Sequence, residues 1–164
     1  MDDPVWEEID YESVWTPFDA LYGFRPGMSV SPAIREPHGS ITYDVSPCWN
    51  GSGVAGWARD TVNFAVVWAL AEIVGPDSPV IVLDWQHPAH RFWPHRSQTF
   101  SAAEMLCGVT PIPNGDYYAF LTEDLLTGTF GHPWEPSLCV FGDSLVERLR
   151  PILDAVLPRL KTNP

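Results

Sequence analysis

Lysine is almost absent from this 164-residue sequence: Lys161 stands alone, and with arginine the basic side chains number only nine. Against 21 acidic side chains this leaves a net charge of −12 and a pI near 4.5. A nucleic-acid binder needs a basic face to neutralise phosphates, and a protein held on anionic lipid needs one too, so both classes are excluded. Cysteine is scarce as well. Cys48, Cys107 and Cys139 are an odd set with no CxxC pair and no framework spacing, each beside apolar neighbours. They read as buried free thiols in a reducing cytosol. The longest uninterrupted apolar run, Phe64 to Ala71, falls far short of the roughly 20 residues that a membrane span requires. Through Glu12 the chain carries six acidic residues and no basic one, the reverse of a secretory signal's basic start. The expected location is the cytoplasm.

Hydrophobic residues at 45% and aromatics at 13% mark a folded chain rather than an acidic disordered one. The length suits one domain over 1–164, with an acidic entry segment at 1–15 and a disordered tail at 161–164. Seventeen prolines stiffen the connections without forming a linker, and no internal repeat occurs. Eight tryptophans are too many to bury fully in a chain of this size, so some must line a pocket or an exposed patch.

Thr16-Pro17 with Gly23 predicts a short helix over 16–22. Alternation with β-branched residues predicts a strand over 40–45. Residues 57–74 run without Gly or Pro to Gly75-Pro76 and are apolar all round from 64 to 71, which predicts a largely buried central helix. An apolar strand follows at 80–85. The segment 86–113 reads as irregular, with a helical turn or two at 100–106. Tyr117 to Leu121, Thr127 to Phe130 and Leu138 to Phe141 read as an antiparallel meander. The stretch 144–160 is predicted as a helix with a Ser144-x-x-Glu147 capping box and a kink at Pro151. This order is an α+β fold: one domain with a mostly antiparallel sheet, a buried central helix and a C-terminal helix packed on one face.

All five histidines lie in proline- or glycine-flanked stretches. Asp84, His87 and His90 leave the end of a buried strand and can converge on one ligand, with His95 further on. Three such side chains with an open position are what a zinc or iron site needs, although no metal is expected here: His87, His90 and His95 are the residues to watch. Asp116 starts the meander and can lie near the 131–136 turn that holds His132, so an acid–base pair between them is a second candidate. The catalytic candidates are therefore His87, His90, His132 and Asp116. Turn chemistry and solvated surface groups account for the same residues. No GxSxG surrounds Ser31, Ser40 or Ser137, no cysteine has a basic neighbour, and Gly51-Ser52-Gly53 lacks the lysine of a phosphate loop. No cofactor motif is present, and the balance leans away from an enzyme.

The acidic excess is concentrated before the C-terminal helix: 18 acidic and five basic residues occur up to Gly142, a balance of −13. Such a field suits fast capture of a basic protein or a cationic small molecule. Trp85, Trp93, Trp134, Glu135, Asp84 and Tyr117 are the expected binding residues, aromatic anchors within an acidic surround.

The stretch Pro113 to Asp124 (containing Gly115-Asp116-Tyr117-Tyr118) and the stretch Gly131-His132-Pro133-Trp134-Glu135 on to Phe141-Gly142 resemble an uncharacterised bacterial family, domain of unknown function family 2716. Phe24-Arg25-Pro26 and Ile41-Thr42-Tyr43-Asp44 are similar to it as well, so the resemblance covers most of the chain. It implies a source largely among actinobacteria and no known reaction. The closing pattern also resembles the ends of small immunity proteins of bacterial toxin systems. Two functions follow. One is a cytosolic immunity-type inhibitor that binds a basic toxin or other basic protein, with an exposed tryptophan and acid patch. The alternative is a small-molecule enzyme or ligand-binding protein of a specialised-metabolite or resistance context, with at least two loop histidines pointing into a Trp-lined cavity.

Overall fold

The computed structural model describes residues 4–49, 53–97 and 108–164. Eight strands form one antiparallel sheet: β1 (Trp6–Ile9), β2 (Ile41–Asp44), β3 (Val80–Asp84), β4 (Ala89–Phe92), β5 (Tyr118–Leu121), β6 (Gly128–His132), β7 (Ser137–Phe141) and β8 (Arg159–Thr162). Their spatial order is β1-β4-β3-β5-β6-β7-β2-β8. Three helices are seen among the described residues: α1 (Tyr11–Tyr22), α2 (Val54–Val74) and α3 (Asp143–Val156).

Strand alternation divides the core into two layers. Val80, Val82, Tyr118, Phe120, Leu138 and Val140 face Val62, Val66 and Leu70 of α2 and Leu145, Leu149 and Leu153 of α3. Ile81, Leu83, Ala119, Leu121, Phe130 and Phe141 face Trp15, Phe18 and Tyr22 of α1. β3 is therefore apolar on both faces, as a strand between two layers must be. The α+β expectation holds, with α2 and α3 together on one face and α1 added on the other.

Local differences have local causes. α1 starts at Tyr11, because Asp10 caps it (Oδ2 accepts from the Ser13 N–H at 2.9 Å) ahead of the Thr16-Pro17 signal; Pro17 lies inside the helix. The entry segment is not a bare acidic arm: Trp6–Ile9 pairs with β4 at the sheet edge. β4 falls in the stretch read as irregular, and the helical turn expected at 100–106 lies outside the described residues. α2 is largely buried, as expected, with Ala65, Val66, Val67, Ala69, Leu70 and Ala71 all enclosed, while Trp57 (62% exposed) and the stacked Phe64–Trp68 pair face outward.

The C-terminal helix stops at Val156, not at 160. Pro158 forces Leu157 into an extended conformation (φ −128°, ψ 141°), and the chain returns as β8 along β2. Its tail is tied down: Asn163 Nδ2 donates to the carbonyls of Glu36 (2.7 Å) and Pro37 (2.9 Å). No capping box forms at α3, where Gly142 (φ +87°) precedes the first turn without a side-chain cap. Cys48 and Cys139 are buried free thiols, and burial pushes both up in pKa, Cys139 to about 12.

Gly128 is fixed by close approach within the sheet. A Cβ there would stand 2.2 Å from the Phe120 carbonyl oxygen, which is backbone and cannot swing away. Gly128→Ala should lower the unfolding free energy by roughly 3 kcal/mol, read from urea denaturation at unchanged m. A loss well under ~1 kcal/mol would mean that the β5–β6 pairing is looser than described.

Candidate functional site

β3 leaves the core at Asp84, and the chain turns through Trp85, Gln86 and His87 into β4. The His87 N–H closes the turn on the Asp84 carbonyl at 3.2 Å, and Gln86 sits at φ 67°, where glycine is the usual occupant. In the β3–β5 register Asp84 lies opposite Tyr118. Asp116, two residues before Tyr118, is thus brought to the same face as Asp84. His87 Nδ1 stands 3.0 Å from Asp84 Oδ1 and 4.0 Å from Asp116 Oδ2. One donor atom from each of the three lies within 4.8 Å of the others, so these residues can hold a divalent cation or share a proton.

The three groups differ in environment. Burial holds the Asp84 carboxyl above its ordinary value, an effect that the His87 hydrogen bond partly offsets. The His87 ring is exposed, and the hydrogen bond and charge of Asp84 raise its pKa above 6.5. Asp116 Oδ1 accepts from the Tyr117 N–H at 2.8 Å. Beside His87, Glu8 and Asp10 of the acidic entry segment line a shallow depression with Tyr11. Trp6-Glu7-Glu8-Ile9 does not alternate apolar and polar residues, and four residues are too few to read as a strand.

On the other face of the sheet an aromatic chain continues this end. Trp85 packs edge-on against Tyr117 (5.6 Å between ring centroids), and Tyr117 against Trp134 (5.2 Å). Tyr117 is fully buried and cannot touch a partner; its hydroxyl accepts from the Gly27 N–H at 3.1 Å and lies 3.2 Å from the Gly27 carbonyl. Trp134 is exposed at the turn after β6. Glu135 is oriented by two hydroxyls, those of Ser31 and Ser137.

His132 does not pair with Asp116. Its Nε2–H donates to the Val30 carbonyl (2.7 Å) and its Nδ1 accepts from the Glu135 N–H (3.1 Å), which leaves no ring nitrogen for chemistry. The histidines 87, 90 and 95 do not converge either. His95 Nε2–H donates to the Ala71 carbonyl at 2.8 Å, next to α2. His90 packs edge-on against Trp6, with a buried Nδ1 that has no hydrogen-bond partner among the described residues. Trp93 follows β4 at the opposite sheet end, where Arg96 stacks on its ring at 4.5 Å. The structure thus joins Asp84 and His87 from one sequence constellation with Asp116 from the other.

A family model described as protein of unknown function (DUF2716) matches residues 6–146. The chain belongs to that family. The match runs from β1 into the first turn of α3, so every residue of the sheet-end cluster lies within the DUF2716 region. The chain is also similar to the uncharacterized protein YxiI of Bacillus subtilis (strain 168), at 28% identity over 152 residues, which covers 90% of this chain and 86% of that protein. No solved structure matches.

In this DUF2716 protein the Asp84–His87 pair contributes to stability below the ordinary imidazole value of 6.5, and that contribution is lost as pH rises through the raised value. NMR titration of the His87 ring should give a midpoint above 6.5 that moves down in Asp84→Asn. A midpoint unchanged by that substitution would contradict the pairing.

Proposed function

We propose that this protein works in the cytoplasm as an acidic binding protein whose sheet end captures a basic protein partner, as an immunity-type inhibitor neutralises a basic toxin domain. One observation carries the reading. Among the described residues no arginine or lysine forms an ion pair with Asp84, Asp116 or Glu135, whereas five of the chain's nine cations pair with other carboxylates: Arg59 with Asp60, Arg91 with Glu7, Arg148 with Glu72, Arg159 with Asp154 and Lys161 with Glu36. These carboxylates, with no arginine or lysine partner, flank exposed Trp134 and turn-borne Trp85. A guanidinium-rich surface finds there both charge for steering and aromatic faces for stacking.

The rigidity of the site suits binding. Glu135 is held by two hydroxyls, the 132–135 turn by His132, and the 84–87 turn by its own closing hydrogen bond. Little ordering remains for the partner to impose, which favours affinity. No helix among the described residues is long and apolar enough to cross a membrane. The enzyme alternative needs two histidines aimed into one enclosed cavity, and His87, His90, His95 and His132 have no such meeting point among the described residues.

The test is binding to the products of the genes flanking this one, with a basic toxin-like domain as the expected partner. Complex formation should protect cells in co-expression, and its association rate should fall about tenfold in Asp84→Asn/Asp116→Asn and fall steeply with added salt. Trp134→Ala should act on dissociation instead. Stoichiometric zinc or iron in the purified protein, lost in His87→Ala, would overturn the reading, because a resident cation would neutralise the two aspartates.

A further inference from the structure

A second cavity lies on the α2 side of the sheet, between the short 3-10 turn Ser46–Cys48, the first half of α2 and the loop from 108 to 115. Its volume is about 570 Å³, within the range of roughly 300–1,000 Å³ typical of small-molecule sites. Cys48, Trp49, Ile112 and Pro113 give it apolar and aromatic walls. Its charged pair is neutral in sum, since Arg59 Nε donates to Asp60 Oδ1 at 3.2 Å.

The polar groups of the wall are not equivalent. Thr110 Oγ1 donates to the Ile112 carbonyl (2.6 Å), while Asn114 donates to the Gly108 carbonyl (3.3 Å) and accepts from the Tyr118 hydroxyl (2.6 Å). These groups serve the loop itself. Asn63 differs. Its residue is 2% exposed, and its Oδ1 accepts from the Ile112 N–H at 2.9 Å, which fixes the orientation of the carboxamide. Nδ2 then points the other way and has no hydrogen-bond partner among the described residues, on a side chain that lines the cavity. A donor open to an apolar-walled cavity, on a side chain otherwise buried, favours a ligand that supplies an acceptor. With a neutral wall, in a protein of net charge −12, that ligand carries no negative charge.

We propose that this cavity binds an uncharged, partly aromatic small molecule whose carbonyl oxygen accepts from Asn63 Nδ2 while its ring lies against Trp49. The site is independent of the sheet-end reading and uses none of its residues. The probes are acetophenone, ethylbenzene (the same ring without an acceptor) and benzoate (the same ring with a charge), each titrated into the full ¹⁵N-labelled chain. Acetophenone should shift the Asn63 side-chain amide, the Trp49 indole and the Gly115 amide saturably, and bind about tenfold tighter than ethylbenzene. Asn63→Asp keeps an acceptor for the Ile112 N–H but removes the donor, and should weaken acetophenone about tenfold. Trp49→Ala, at a half-exposed position that the core does not need, should weaken it severalfold and serves if Asn63→Asp does not fold. Equal binding of acetophenone and ethylbenzene, tighter binding of benzoate, or acetophenone affinity unchanged in the folded variants would overturn the proposal.

Discussion

The register of β3 against β5 is the constraint on which the rest depends. Ile81 opposite Leu121, Val82 opposite Phe120 and Leu83 opposite Ala119 bury alternate side chains in two different layers. A slip of one residue would exchange those layers and drive Asp84 to the α1 face, so hydrophobic burial on both sides locks the pairing. The same lock sets the chemistry at the strand end. Asp84 and Asp116 meet because Asp84 is opposite Tyr118, and His87 joins them because the turn to β4 is short. Two like charges are held near one imidazole by forces that act in the apolar core rather than at the site.

The outer elements follow from covering that sheet. α2 is long and apolar enough to bury one face with α3, and α1, with Ala33 and Ile34 beside it, closes the other. The edges are finished by short strands whose charged residues meet opposite charges: Glu7 with Arg91 at one edge, and Lys161 of β8 with Glu36 at the other. Together with those of Arg59, Arg148 and Arg159, these pairs commit five of the chain's nine cations to carboxylates other than Asp84 and Asp116. With nine basic residues in all, the two aspartates are left with His87 but no arginine or lysine as counter-charge, so composition and topology together produce the field that a basic partner would meet.

Much of this was legible in the sequence where local signals were long or redundant. α2, β3 and the β5–β6–β7 meander stand close to their expected bounds, because each has a strong apolar pattern bounded by Gly, Pro or acidic turns. β1, β4 and β8 were not legible. Each has four residues, and each is a strand only because a distant partner supplies the hydrogen bonds, as when Trp6 pairs with Phe92. The end of α3 was a misread signal rather than a missing one, since Pro158 stood in the sequence. Asp84, His87 and Asp116 were each visible as candidates. Their meeting was not, because it needs the β3–β5 register, and the role of His132 needed a loop more than 100 residues away in sequence.

The central claim is that the Asp84–Asp116–Trp134 end of the sheet is the face that meets a cationic partner. Amide chemical-shift mapping of the ¹⁵N-labelled protein with an arginine-rich peptide tests it most directly. Shifts should concentrate at the amides of residues 84–87, of Asp116 and of Gly131, His132, Trp134 and Glu135, with the Trp134 indole among them and all of them reduced in Asp84→Asn/Asp116→Asn. Shifts centred on the outer faces of α2 and α3, or spread evenly over the acidic surface, would contradict it.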